Sequence, residues 1–151
     1  MIQETISSRK APKALGPYSP ALRAGDFVYI SGQIPVDPET GELAGDDIRT
    51  QTEQCLKNIQ ALLQETGLEM KHVLKTTVYM TDLNEFAEMN EVYARYFSEP
   101  YPARSAAEVS KLVRNAKVEI EAYAIDTRAL EVICSKETCD ADCENVCEIL
   151  K

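Results

Sequence analysis

Apolar and polar residues follow two rhythms along this chain. β-Prone runs at Ala21–Ala24 and at 27–31 flank Gly25-Asp26, which predicts a hairpin. Val36-Asp37-Pro38-Glu39-Thr40-Gly41 follows as a turn-rich excursion. Over 46–66 the period changes: Ile48, Cys55, Leu56, Ile59, Leu62 and Leu63 recur at helical spacing. Asp46 or Asp47 is placed to cap that helix, and Gly67 stands where a C-terminal glycine belongs. The β-branched run Val73–Met80 predicts a strand. A second helix is expected from Thr81-Asp82, with Asp82 and Glu85 as a capping box and Phe86, Met89, Asn90, Tyr93 and Phe97 along one stripe. Pro100 and Pro102 end it, and two more strands are expected at 103–109 and 117–125, joined by a polar turn at Arg114-Asn115. The predicted order is ββ–α–β–α–ββ, an α+β mixed sheet with two helices on one face. The uncovered face then needs another partner, most simply a second subunit.

Several polar residues interrupt these patterns. In the strand at 103–109, alternation puts Arg104, Ala106 and Glu108 on one face. There Arg104 either clamps a carboxylate bidentately or forms a structural ion pair with a nearby glutamate. Glu119 and Glu121 share the face opposite Val118, Ile120 and Ala122. Paired carboxylates orient water or exchange protons, or they simply lie on a solvated sheet face. If the strands bearing Arg104 and Glu119 are adjacent, a cation and a carboxylate stand roughly 5 Å apart. Ser31-Gly32 closes the strand that starts at Phe27, offering a hydroxyl and a backbone open to close approach. Gly16-Pro17-Tyr18-Ser19-Pro20 is a rigid turn bearing an aromatic ring.

Composition removes several alternatives. The 151 residues, 44% hydrophobic and 27% charged, suit one globular domain. No run approaches the roughly 20 apolar residues of a membrane helix. Residues 1–13 carry Glu4, Arg9 and Lys10 without an apolar run, so no secretory leader is read there and a cytoplasmic protein without membrane partners is expected. The net charge of −9 argues against nucleic acid as a partner. One histidine, His72, permits neither a zincin motif nor a Ser-His-Asp triad with a G-x-S-x-G elbow, and the glycines form no phosphate loop.

Gly16-Pro17-Tyr18, Ser31-Gly32-Gln33-Ile34-Pro35, Lys75-Thr76-Thr77-Val78, Thr81-Asp82-Leu83-Asn84-Glu85-Phe86, Asn90, Pro102-Ala103-Arg104-Ser105 and Val118-Glu119-Ile120-Glu121-Ala122 occur in that order. Together they resemble the RidA family, also called YjgF/YER057c/UK114. The resemblance covers about 2–125. It implies a chorismate-mutase-like α+β fold and a homotrimer with clefts between subunits. It also implies hydrolysis of reactive enamines and imines to 2-oxo acids and ammonia, with no metal or organic cofactor. By position, Arg104 would bind the substrate carboxylate and Glu119 would orient or deprotonate water. Tyr18 and Ser31 would contact the substrate near its nitrogen, and Gly32 would admit it to the backbone. Asn90 and Lys75 would line the cleft. Ala106 replaces a cysteine common in the family, leaving backbone contacts intact while removing any thiol chemistry; Glu121 is a less favoured substitute for Glu119. A different class of reading is a regulator that binds a small carboxylate without turnover. Ribonuclease activity, attributed to some members, is disfavoured by the charge.

The expected domain is therefore 1–126. Residues 127–151 form an acidic extension holding Cys134, Cys139, Cys143 and Cys147, four of the five cysteines. Their spacing is C-x4-C-x3-C-x3-C. They are weak metal-ligand candidates, or else the apolar stripe of an amphipathic helix with Val146 and Leu150.

Overall fold

The computed structural model describes residues 3–128; the four tail cysteines and every expectation for them lie outside that range. Six strands form one sheet: β1 (Gln3–Ile6), β2 (Ala21–Ala24), β3 (Phe27–Gln33), β4 (Val73–Met80), β5 (Ala103–Glu108) and β6 (Val118–Ile125). Their spatial order is β1-β2-β3-β6-β4-β5. Among the described residues two α-helices, α1 (Ile48–Glu65) and α2 (Phe86–Tyr93), accompany the sheet. The predicted order holds, with β1 added at the front. Only β4 and β5 run parallel, with α2 in their crossover.

β6 lies inside the sheet because it has the residues for it. Val118, Ile120, Ala122 and Ala124 alternate and are buried, and they face α1 together with Val28 and Ile30 of β3 and Val78 and Met80 of β4. α1 seals this side with Cys55, Leu56, Ile59, Leu62 and Leu63. Asp47 is its N-cap, accepting from the Thr50 N–H at 2.9 Å. Gly67 ends it at φ +73, a conformation that lacks the Cβ penalty only in glycine.

The second helix differs from its expectation. Asp82 caps a short 3-10 turn, Leu83–Glu85, through the Asn84 N–H at 2.8 Å, and α2 begins only at Phe86. Glu85 does not complete a capping box. Its carboxylate instead takes the Lys117 ammonium at 2.8 and 3.0 Å, tying this turn to the start of β6. The predicted turn at Arg114-Asn115 is left-handed at both residues, φ 60 each. The Arg114 guanidinium secures it by donating to the Gly41 carbonyl at 2.6 Å.

The other face of the sheet has no covering element among the described residues. Phe27, Tyr29 and Tyr123 stand exposed there, with Tyr29 and Tyr123 edge-on at 5.5 Å. Just past β6, Asp126 accepts from Arg128 and Arg23, whose hydrogen bonds, that of Arg128 above all, hold its carboxyl far below the usual carboxylate range. Arg128, two residues past the expected boundary, also donates to the Thr66 and Gly67 carbonyls at the end of α1. Among the described residues no helix is long and apolar enough to cross a membrane.

Candidate active site

A β-bulge builds the first part of the site. Ile30 pairs with Ala122 and Gln33 with Ile120, so Ser31 and Gly32 together oppose the single residue Glu121. The Ser31 hydroxyl donates to the Ser19 carbonyl at 2.7 Å, and its N–H to the Pro20 carbonyl at 3.0 Å. The bulge is thereby pinned to the turn that carries Tyr18. Gly32 has a steric reason to be glycine: a Cβ there would lie 1.9 Å from Glu119 Oε1. The Glu119 side chain therefore lies against the bulge. Burial is the main reason its carboxyl is pushed above the usual 4.5, and the Glu121 charge adds to it.

Tyr18 and Gly32 line one crevice of about 340 Å³, walled by 8–15 and by the loop at 34–41. The Tyr18 hydroxyl accepts from the Leu15 N–H at 3.3 Å. Ser31 lies beside that crevice, in a shallow hollow shared with Tyr29, Glu121 and Tyr123.

Arg104 lies elsewhere. It pairs with Thr76 of β4, a fully buried residue on the helix-covered side. Its guanidinium carbon stacks 4.7 Å from the Tyr93 ring centre and 5.4 Å from that of Phe86. Tyr93 is fixed by a 2.8 Å bond between its hydroxyl and Thr76 Oγ1. Among the described residues Arg104 has no carboxylate partner, so the structural ion pair allowed by the sequence is not formed. Asn90, Tyr93, Tyr101 and Pro102 share its hollow. Ala106 is exposed two residues further along the edge strand. Lys75 faces the open side, its ammonium 3.3 Å from Ser105 Oγ.

Adjacency of Arg104 and Glu119 is overturned. β4 stands between β5 and β6. Glu119 pairs with Tyr79 on β4, whereas Arg104 pairs with Thr76, an odd number of residues away and hence on the opposite face. Within one chain the two groups cannot grip one small molecule. The structure thus brings together Glu119, Gly32, Ser31 and Tyr18 on one side, and Arg104, Asn90 and Ala106 on the other. Tyr93 and Tyr101, which share the Arg104 hollow, are not singled out by sequence reasoning. Tyr93 lies on the predicted stripe that contains Asn90, the one signal that could have found it; Tyr101, between two prolines, carries none.

Comparison with known proteins decides the family. Its model, described as Endoribonuclease L-PSP, matches residues 8–126. This chain belongs to that family, the RidA/YjgF family. It is 52% identical over 124 residues to a RutC family protein of Pyrococcus abyssi, covering 82% of this chain and 98% of the relative. It is 42% identical over 125 residues to the human protein named 2-iminobutanoate/2-iminopropanoate deaminase, covering 83% and 91%. Among solved structures, E. coli TdcF with bound serine superimposes with a TM-score of 0.78 at 42% identity, covering 82% of this chain and 98% of that one.

Proposed function

We propose that this RidA-family protein hydrolyses 2-imino acids, in equilibrium with their enamines, to 2-oxo acids and ammonia at clefts between the subunits of a homotrimer. The observation that carries this reading is the division of Glu119 and Arg104 between opposite faces of one sheet. Each is prepared for a ligand, and neither can complete a site alone. A neighbouring subunit that covers the open face supplies the missing half of each cleft. The human relative's name gives the reaction, and the serine in TdcF is a carboxylate-bearing molecule of the right size.

The chemistry follows from the residues. Arg104, which has no carboxylate partner among the described residues, takes the substrate carboxylate bidentately. Water placed by Glu119 attacks the iminium carbon, forming a C–O bond while the C=N electron pair moves to nitrogen. Glu119 takes a proton from that water. Glu119 returns its proton to the carbinolamine nitrogen, the oxygen lone pair forms the C=O bond of the 2-oxo acid as the C–N bond breaks, and the hydroxyl proton passes through Glu119 to the departing ammonia, which leaves as ammonium. A carboxyl raised toward neutrality exchanges protons in both directions more readily than an ordinary one. Ser31 and Tyr18 lie beside the bulge, where the nitrogen is held. The family description names a ribonuclease, but the chain's one histidine, His72, is buried and offers no exposed imidazole for RNA cleavage.

The test generates 2-iminobutanoate with an amino-acid oxidase and follows its decay with purified protein. Arg104→Ala should lower kcat/KM by about a hundredfold. Full acceleration by that variant would remove the assignment. Binding of 2-oxobutyrate by calorimetry without imine turnover would instead make the protein a carboxylate-binding regulator.

A further inference from the structure

We infer that Gln33, held in the core by the β3 bulge, is a positioning residue that sets Gly32 against Glu119. The inference rests on the reading of Glu119 as the proton-transfer group.

An uninterrupted β3 would point Ile30 inward, Ser31 outward, Gly32 inward and Gln33 outward. The extra residue of the bulge reverses the last step, so Gln33 pairs with buried Ile120 and is itself only 5% exposed. A buried amide is costly unless it is bonded. The Gln33 Nε2 group donates to the Ser31 carbonyl at 2.9 Å. That carbonyl belongs to the Ser31–Gly32 peptide, so the bond fixes the plane of the peptide leading into Gly32.

A second buried amide secures the other flank. Asn58 of α1 is fully buried, and its Nδ2 group donates to the Ile34 and Val36 carbonyls at 3.2 and 3.0 Å. Gln54 in turn donates to Asn58 Oδ1 at 2.9 Å, which fixes the amide's orientation. The backbone is therefore clamped just before and just after Gly32 from the helix-covered side. Glu119 presses on Gly32 from the open side. Gln33 joins the two faces of the sheet at the one place where the strand lacks a side chain.

The consequence is specific. Without the Gln33 donor the Ser31–Gly32 peptide is free to tilt. Gly32 then moves off Glu119, and water reaches the carboxylate. The deciding variant is Gln33→Met, similar in size and lacking the donor. In the full-length protein, kcat for 2-iminobutanoate should fall at least tenfold while KM changes less than threefold, given how steeply rate depends on placement. The acid limb of the kcat/KM profile should move to lower pH, because Glu119 loses part of the burial that raises it. Ile59→Val is the control, a core change that destabilises without touching the bulge. It should leave kcat and the acid limb in place. If Q33M does not fold, Gln33→Leu removes the donor with another uncharged side chain and is read the same way. Wild-type kcat and an unmoved acid limb in the folded variant overturn the inference, as does an equal loss of kcat in Ile59→Val. If the wild-type protein hydrolyses no imine, the proposed function falls instead.

Discussion

Strands β5 and β6 each give the candidate site one charged group, yet they belong to opposite parts of the sheet. β6 runs through the middle, with alternate residues buried and Glu119 on the uncovered face. β5 is an edge strand exposed along its whole length, and its Arg104 turns toward the helix side. The carboxylate is held by close packing: it lies on a backbone with no side chain and is partly withdrawn from water. The guanidinium is held by stacking: two aromatic rings lie against it, and among the described residues no carboxylate pairs with it. Desolvating a carboxylate changes its proton affinity, which suits proton transfer. An arginine stays charged whatever surrounds it, so orientation is what its environment contributes.

The largest expected effect breaks the carboxylate side. Glu119→Gln keeps the shape and removes the base, and kcat should fall by about 10²–10⁴-fold. Thermal unfolding should show no loss of stability, since a partly buried charge beside Glu121 is removed. The division between faces has a sharper consequence. If each cleft takes Glu119 from one subunit and Arg104 from the next, inactive Glu119→Gln and inactive Arg104→Ala should complement each other. Unfolding and refolding the two together into a closed ring should restore about a quarter of the clefts. A mixture as inactive as its components would place both groups in one subunit's site, contrary to the register.

The next effect tests the packing. Gly32→Ala puts a methyl where the Glu119 carboxylate now lies, 1.9 Å from Oε1. The carboxylate is the end of a flexible side chain, so the protein should fold with Glu119 displaced. Rate should drop by about a hundredfold through misplacement alone. Wild-type kcat in this variant would show that the contact does not set the base.

These contacts separate what was legible in the sequence from what was not. α1, β4 and β6 announce themselves because each buries one periodic face and needs only local pattern to do so. β1 escaped because Gln3–Ile6 is short and polar, with only its last residue buried. The adjacency expected for Arg104 and Glu119 failed for a different reason. β5 and β6 follow one another in the chain, but strand order is a contest for the interior. Ala103–Glu108, built of alanine, serine and two charged residues and without β-branched ones, loses to β4 and takes the edge. The types of residue at the site were therefore readable, while the face each occupies depended on pairing between distant strands. The Gly32–Glu119 contact had only a faint signal, a glycine ending a strand.

A smaller effect lies on the arginine side. Thr76→Val removes the partner of the Tyr93 hydroxyl and leaves that group poorly satisfied. Denaturant unfolding should show a loss of about 1–3 kcal/mol. The ring remains packed on Phe97 at 4.5 Å, so KM should rise only modestly. A large rise in KM without loss of stability would mean that Thr76 acts on the ligand rather than on Tyr93.

The smallest effect separates the two causes acting on Glu119. Burial raises its carboxyl first and the charge of Glu121 second. Glu121→Gln removes the second and leaves the first. The acid limb of kcat/KM, where Glu119 gains its proton as pH falls, should move to lower pH but stay above the ordinary 4.5. At pH values well above that limb the rate should barely change. Stability follows with a fixed sign. A carboxyl raised in the folded state binds its proton more tightly there than in the unfolded chain. The wild-type protein therefore loses stability as pH rises from the ordinary value through the raised one. Glu121→Gln should shrink that loss, seen as a smaller drop in unfolding temperature across the same window. An acid limb that did not move would mean burial against Gly32 is the whole cause, and that Glu121, one bulge away, is electrically silent.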